Sequence, residues 1–281
     1  MHNTDRKKAV QDFWDANPCA GGGGYSARLE WLKKTEAYAF DILNANIVEG
    51  KEILEVGCGQ GFMANHVAQW AKYVIATDIS KESLRLAQEG SQALGIHNVS
   101  YQWGDAEDLS FSDEQFDIVY CFGVLHHTPD TQKGINELCR ILKPGGTAVV
   151  MLYKKYNPKW LVVAFFRTIS KIIDHIAGQE FIIANRLRES YKKNPKATHG
   201  TALLELFGCP VLKMYSKRQL CQMFRQFQNL QINCYQPGFE RLLDFLPERL
   251  KNVGIRRVLS YIDSVTVKYF GFYAVVKGEK Q

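Results

Sequence analysis

The stretch Ile53-Leu54-Glu55-Val56-Gly57-Cys58-Gly59-Gln60-Gly61-Phe62 decides the fold of this 281-residue chain. Its apolar beginning predicts a strand, and its three glycines predict a tight turn, because glycine adopts backbone conformations that other residues avoid. The segment 62–70 then has apolar residues at helical spacing. A strand, a glycine turn and a helix in this order predict a ligand site, since the first N–H groups of a helix have no intrahelical partner.

The spacing of the glycines separates two classes of ligand. A dinucleotide-binding turn follows the pattern GxGxxG and receives a pyrophosphate. Here the glycines at 57, 59 and 61 give GxGxG, and Glu55 stands just before them. A carboxylate attracts a cationic ligand and repels a phosphate. Spacing and charge therefore disfavour an NAD(P)-binding oxidoreductase, which stays the alternative enzyme class.

Residues 51–153 alternate between short apolar segments and amphipathic ones. We predict strands at 52–56, 73–76, 99–103, 116–122 and 147–152, and helices at 62–70, 81–94 and 131–141. Ser80 is the predicted N-cap of the second of these helices. Strands that alternate with helices predict a parallel sheet covered on both faces, an α/β fold.

Acidic side chains follow two more of the predicted strands. Asp78 stands roughly 20 residues after the glycine turn, where an acid can accept hydrogen bonds from ribose hydroxyls. Its alternative role is to cap the next helix beside Ser80. Asp105, in Gly104-Asp105-Ala106-Glu107, can accept an adenine amino proton while Ala106 offers its backbone N–H. The alternative for Asp105 is an ordinary turn acid.

These motifs together resemble the class I S-adenosylmethionine-dependent methyltransferases, specifically the small-molecule group called Methyltransf_11. The segment Leu142-Lys143-Pro144-Gly145-Gly146 is typical of that family. The segments 13–19 (FWDANPC) and 123–130 (GVLHHTPD) resemble a narrower bacterial subgroup. The resemblance implies a Rossmann-like, doubly wound sheet of seven strands in the order 3-2-1-4-5-7-6, with strand 7 antiparallel.

The resemblance also implies S-adenosylmethionine as the cofactor, and it carries roles over to individual positions. The residues that it assigns to the cofactor are Glu55, Gly57, Cys58, Gly59, Asp78, Ile79, Asp105 and Ala106, with Phe122 and Gly123 at the methionine and sulfonium end. A carboxylate at Glu55 suits the cationic amino and sulfonium groups of this cofactor.

Residues 1–50 are predicted to form a helical lid over the cofactor. A helix at 8–16, a loop at 17–24 and a second helix capped by Ser26 and running to Tyr38 make up this segment. Tyr25 is a candidate for a cation–π contact with the sulfonium, and Arg28 is a candidate partner for the cofactor carboxylate. The alternative for both residues is the start of a surface helix.

His127 and His126 are the candidate general bases, because imidazole titrates near neutral pH and both residues follow the fourth predicted strand. The alternative is that one or both pack or form hydrogen bonds at the strand end. Asp130 is either an orienting acid for a histidine or the cap of the helix that starts at Thr131.

The rest of the chain is predicted to contain two insertions. Residues 154–214 form a helical insertion, with helices at 160–176 and 181–192, that we expect to cover the substrate. The apolar stripe of the first helix could instead pack in the core, form a dimer contact or face a membrane. Residues 215–281 return to the sheet with a helix at 217–227 capped by Ser216, a strand at 230–235, a second insertion at 239–262 and a final strand at 265–276 that includes Gly271.

Composition narrows the class of protein further. The net charge of +6 comes from scattered lysines and arginines, so we expect a solvated basic surface and no nucleic-acid partner. Seven scattered cysteines without a CxxC pair indicate neither a disulfide framework nor a metal site. No signal peptide or membrane span is evident, which predicts a soluble cytoplasmic protein.

The sequence therefore predicts a methyltransferase that acts on a small molecule, with hydrophobic or lipid-like acceptors and O-, N- and C-acceptors all open. A non-catalytic S-adenosylmethionine-binding partner protein stays the second alternative. Peripheral membrane contact and a homo-oligomer are left open as well.

Overall fold

The computed structural model describes residues 3–18, 25–179, 182–183, 186, 208–236, 239 and 253–281. Before the sheet, its helices are α1 (Asn3–Ala16), α2 (Tyr25–Thr35), α3 (Ala37–Ile42) and α4 (Ala45–Val48). The alternating segment that follows, residues 51–153, contains β1 (Glu52–Val56), α5 (Phe62–Val67), β2 (Tyr73–Asp78), α6 (Lys81–Ala93), β3 (Val99–Trp103), β4 (Phe116–Phe122), a 3₁₀ turn (Leu125–His127), α7 (Thr131–Ile141) and β5 (Leu142–Tyr153). The remaining elements are α8 (Pro158–Ala177), α9 (Lys217–Met223), β6 (Phe227–Tyr235), α10 (Val253–Phe270) and β7 (Tyr273–Lys280).

The seven strands form one sheet in the order β3-β2-β1-β4-β5-β7-β6. β1 to β5 pair in parallel, while β7 lies antiparallel between β5 and β6. This order and the antiparallel seventh strand confirm the predicted fold class. Because β1 to β4 are parallel, the turns that follow them all lie along one edge of the sheet, where open α/β sheets bind ligands.

Buried apolar side chains cover both faces of the sheet. Successive residues of a strand point to opposite faces, and accordingly Leu54 and Val119 belong to one buried cluster while Ile53 and Ile118 belong to the other. The first cluster includes Leu138 of α7. The sheet is therefore a rigid platform for the turns at its edge.

Several predicted boundaries agree with the structure because local signals fix them. Ser80 accepts the Ser83 N–H and caps α6, and Ser216 forms a capping box with Gln219 at the start of α9. β1, β3, β4 and α7 have the predicted limits. β5 begins earlier than predicted, since Leu142 already pairs with Phe116 ahead of an irregularity in the ladder.

The final strand predicted over 265–276 is wrong in its first half. α10 continues through Phe270, and β7 begins only at Tyr273. Gly271 lies between the two elements, where a Cβ atom would come within 2.6 Å of the Cys234 Cβ. Glycine is therefore required at this position because the chain passes directly over β6.

The remaining predictions about helices concern α2, the two insertions and α8. α2 begins at Tyr25 and ends at Thr35, so Ser26 lies within its first turn instead of capping it. Except for residues 182–183 and 186, the predicted helix at 181–192 lies outside the described residues, as do residues 240–252 of the predicted insertion at 239–262. α8 forms as predicted, but Val163 is its buried residue, and Phe165 and Ile176 are 61% and 79% exposed. Core packing does not explain its apolar stripe.

Candidate active site

A cleft of 270 Å³ opens at the edge of the sheet where β1 to β4 end. The sequence-predicted residues that line it are Arg28, Glu55, Gly57, Cys58, Gly59, Asp78, Ile79, Asp105, Ala106, Phe122, Gly123 and His127. The structure thus gathers residues from four strand ends and from α2 around one space.

The glycine turn after β1 is held tightly against its neighbours. Gly57 and Cys58 donate their N–H groups to the Thr77 carbonyl oxygen at 2.7 and 2.9 Å. Gly57 has a φ of +77°, and a Cβ atom there would lie 2.1 Å from Cγ2 of Val124. The turn therefore needs glycine both for its left-handed backbone and for its approach to the loop after β4.

Asp78 connects the second strand to the glycine turn. Its Oδ2 accepts the Gly59 N–H and its Oδ1 accepts the Ser80 N–H, each at 2.8 Å. Burial raises the pKa of Asp78 to about 6. A carboxylate can accept about four hydrogen bonds, so Asp78 can hold the turn and still accept donors from a ligand.

Glu55 brings a second buried carboxyl group to the cleft. Its side chain is 5% exposed, and among the described residues its Oε2 has no hydrogen-bond partner. Burial, with a smaller contribution from the charge of Asp78, raises the pKa of Glu55 to about 8. An ionised carboxylate in this position needs a cation or a donor to offset its desolvation.

The stability of the protein should report this raised pKa. Between its unfolded pKa and its folded pKa, Glu55 binds more protons in the folded state, so the free energy of unfolding falls as pH rises from about 4.5 to about 8. We expect Glu55→Gln to match the wild type at roughly pH 5 and to exceed its unfolding free energy by about 4 kcal/mol at roughly pH 9. Urea unfolding at the two pH values measures the difference.

Glu52, at the other end of β1, is the control for that experiment. Hydrogen bonds and charges from Lys72 and Lys143 lower the pKa of Glu52 to about 2. Its contribution to stability is present above the unfolded pKa and lost as pH falls, so Glu52→Gln should destabilise at high pH, the opposite sign. Identical pH profiles for wild type and Glu55→Gln would contradict the assignment.

Helix α1 belongs to the segment 1–50 that was predicted to form a lid, and it closes one side of the cleft through residues that the sequence analysis did not single out. The Lys7 ammonium lies 2.6 Å from Asp105 Oδ2 and 2.9 Å from Glu107 Oε2. Lys7, Val10 and Trp14 line the cleft, and their spacing of three and four residues places them on one helix face. That spacing is the signal that could have found this face.

The two histidines occupy different environments. His127 lines the cleft, and its Nδ1 lies 2.8 Å from the Val211 carbonyl oxygen. Because a carbonyl only accepts, Nδ1 donates, and a neutral His127 carries its lone pair on Nε2. Trp14 packs edge-on against the ring at 5.4 Å.

His126 packs behind the cleft. Its ring is fully buried and stacks on Tyr153 with the centroids 3.8 Å apart. Neither ring nitrogen has a hydrogen-bond partner among the described residues, and burial lowers the pKa of His126 well below its usual range.

Asp130 accepts the Lys133 N–H at 3.0 Å and caps α7, the second of the two roles considered for it.

Of the two lid candidates, the structure brings only Arg28 to the cleft. The Arg28 guanidinium lies 4.1 Å from the centroid of the Trp31 ring. Tyr25 lies behind the glycine turn, stacked on Phe62, and its hydroxyl accepts a hydrogen bond from Asn65 at 2.7 Å. Burial raises the pKa of Tyr25 to about 12.

The described ranges contain neither a metal-binding cluster nor a membrane-spanning helix. No group of three or more His, Cys, Asp or Glu side chains there is arranged to hold a metal ion. No helix there has the length and apolar character to cross a bilayer.

Comparison with known proteins gives consistent matches over the same region. Residues 54–150 match the family model described as a methyltransferase domain. The ubiquinone biosynthesis O-methyltransferase of Pseudomonas fluorescens is 30% identical over 196 residues, which cover 69% of this chain and 68% of that protein. The uncharacterized methyltransferase YcgJ of Bacillus subtilis is 30% identical over 180 residues, 64% of this chain and 61% of YcgJ.

The alignments thus span about half to two thirds of the curated relatives, from 53% of one to 68% of another. The crystal structure of YcgJ superimposes with a TM-score of 0.51 and 20% identity, covering 88% of this chain and 98% of YcgJ. This similarity concerns the fold.

Proposed function

This chain belongs to the class I S-adenosylmethionine-dependent methyltransferases, and from that premise we propose that it methylates a small-molecule acceptor with S-adenosylmethionine as its cofactor. The observation that carries the proposal is the buried Glu55 carboxyl group at the edge of the glycine turn, whose Oε2 has no hydrogen-bond partner within the described part of the chain. A ligand with cationic amino and sulfonium groups favours the ionised form of this carboxyl group, whereas the pyrophosphate of NAD(P) disfavours it.

The other residues of the cleft fit the same cofactor. Asp78 accepts the ribose hydroxyls, Asp105 and Ala106 receive the adenine, and Cys58, Gly59 and Ile79 complete the walls. Phe122, Gly123 and Arg28 lie toward the methionine end in this proposal. Gly57 has no side chain, so the backbone of the turn can approach the ligand closely.

The protein has two tasks in this reaction. The bound cofactor supplies an electrophilic methyl group, so the chain must position the acceptor and remove one proton. His127 is the proposed base, because it lines the cleft and its Nδ1–H is held by the Val211 carbonyl oxygen. A hydroxyl acceptor is the class that a neutral imidazole serves best, and relatives named as O-methyltransferases support that choice.

Replacement of His127 should separate catalysis from cofactor binding. We expect His127→Asn to lower kcat about a hundredfold, the usual contribution of a general base, while affinity for S-adenosylhomocysteine stays within about twofold. Methyl transfer from labelled cofactor, assayed over phenols, amines and carbon acids, provides the measurement.

His126→Phe is the matched control, because His126 packs on Tyr153 and a phenyl ring preserves that stacking. Its activity should stay near that of the wild type. Full activity in His127→Asn would contradict the assignment of the base. Cofactor binding by a wild-type protein that methylates no acceptor would favour the non-catalytic partner protein.

A further inference from the structure

A second cavity, of 720 Å³, lies between α1, α8 and the segment 209–213. The ionisable residues in its lining are Arg6, Arg167, Lys171, Asp174, His175 and Lys213. Among the described residues of the lining, four basic side chains and a histidine therefore face the same space as one carboxylate. The Asp174 carboxylate accepts the Ile182 N–H at 2.9 Å. A cavity of this charge attracts anions.

This basic cavity shares a wall with the cleft. The Val211 carbonyl oxygen accepts His127 Nδ1–H at 2.8 Å, and Val211 lines the basic cavity while His127 lines the cleft. Lys213 Nζ donates to the Pro129 carbonyl oxygen at 2.6 Å, and Pro129 lines the cleft as well. The proposed base thus stands at the boundary between the two spaces.

Helix α1 also joins the two spaces. Lys7 reaches the acids of the cleft, and the preceding residue, Arg6, lines the basic cavity. A ligand that spans the boundary would therefore meet the same helix on both sides.

Two cations of this cavity, Arg167 and Lys213, are partly desolvated. Burial lowers the pKa of Arg167, whose Nη1 and Nη2 both donate to the Cys209 carbonyl oxygen at 3.3 Å. Burial, and to a smaller extent the charge of Arg6, lower the pKa of Lys213. Desolvated cations are stabilised when an anion accepts charge-assisted hydrogen bonds from them, and a guanidinium matches the two oxygens of a carboxylate or phosphate.

Building on the proposed function, we propose that the basic cavity binds an anionic group of the methyl acceptor, a carboxylate or a phosphate, through Arg167, Lys171 and Lys213. The anion anchors the acceptor on one side of the shared wall, and its nucleophilic end is presented to His127 on the other side. The acceptor is accordingly a small organic acid or phosphate ester that carries a separate group to be methylated.

The test titrates the protein, saturated with S-adenosylhomocysteine, with inorganic phosphate and separately with acetate. We expect at least one anion to bind, and Arg167→Met/Lys171→Gln to bind it about tenfold more weakly. The anion that binds more tightly shows whether the cavity prefers a phosphate or a carboxylate group of the acceptor. Lys171→Gln alone, an exposed change on α8, should weaken binding about threefold and keeps the test valid if the double variant is unstable.

Arg218→Gln is the control, since Arg218 is an exposed cation of α9 outside this cavity. It should leave anion binding unchanged, and all variants should bind S-adenosylhomocysteine as the wild type does. Absence of anion binding, or binding that the cavity variants leave unchanged, would overturn this inference while the proposed function stands. Failure of the wild type to bind S-adenosylhomocysteine would instead overturn the proposed function.

Discussion

Gly57→Ala is expected to lower the free energy of unfolding by about 3 kcal/mol and to abolish cofactor binding. An added Cβ would lie 2.1 Å from Cγ2 of Val124, and the φ of +77° already disfavours a side chain. The turn can relieve the clash only by moving away from the loop after β4, which carries Gly123 and directly follows Phe122, both of the same cleft. Chemical unfolding and titration with S-adenosylhomocysteine measure the two effects.

Two further variants divide this effect into its causes. Gly95 has a similar φ of +65° but open space around its Cα, so Gly95→Ala should cost about 1 kcal/mol. Val124→Gly removes the atoms that would clash, so it should destabilise the Gly57→Ala protein less than it destabilises the wild type. A double-mutant cycle measures this difference in unfolding free energy. A loss in Gly57→Ala no larger than in Gly95→Ala would contradict the close approach.

Asp78→Ala should weaken the binding of S-adenosylhomocysteine about a hundredfold, close to 2.7 kcal/mol. The variant loses the acceptor for the ribose hydroxyls and also the acceptor for the Gly59 N–H that holds the glycine turn. Hydrogen bonds to a charged acceptor are among the stronger ones in proteins. Isothermal titration of the folded variant gives the affinity.

Asp117→Ala controls for the general loss of a sheet aspartate. Asp117 also accepts a backbone N–H, that of Glu52 at 2.8 Å, and pairs with Lys143 at 3.0 Å. It lies in β4, away from the residues that line the cleft, so its variant should lose stability and keep its affinity. Equal weakening in both variants would show that Asp78 acts on the fold alone.

Local patterns predicted most of the sheet and the glycine turn. The spacing of Gly57, Gly59 and Gly61 identifies the turn, and cap residues such as Ser80 limit the helices. The final strand was misplaced because Val265 and Val267 are β-branched. In the structure, the helical spacing of Ile255, Val258 and Tyr261 prevails in α10.

Interactions between distant parts of the chain could not be predicted in the same way. The pair of Lys7 and Asp105 joins residues 98 positions apart. Arg6, Arg167 and Lys213 are scattered in the sequence and read there as a solvated basic surface, yet the fold places them around one cavity. The sequence offers both His127 and the adjacent His126 as candidate bases, whereas in the structure the 3₁₀ turn after β4 directs His126 into the core.

The most direct test of the account is a calorimetric titration of the wild-type protein with S-adenosylhomocysteine, with NADH titrated in parallel. We expect a single site with an affinity of about micromolar for S-adenosylhomocysteine, and no binding of NADH. No binding of S-adenosylhomocysteine by the folded protein, or binding of NADH in its place, would contradict it.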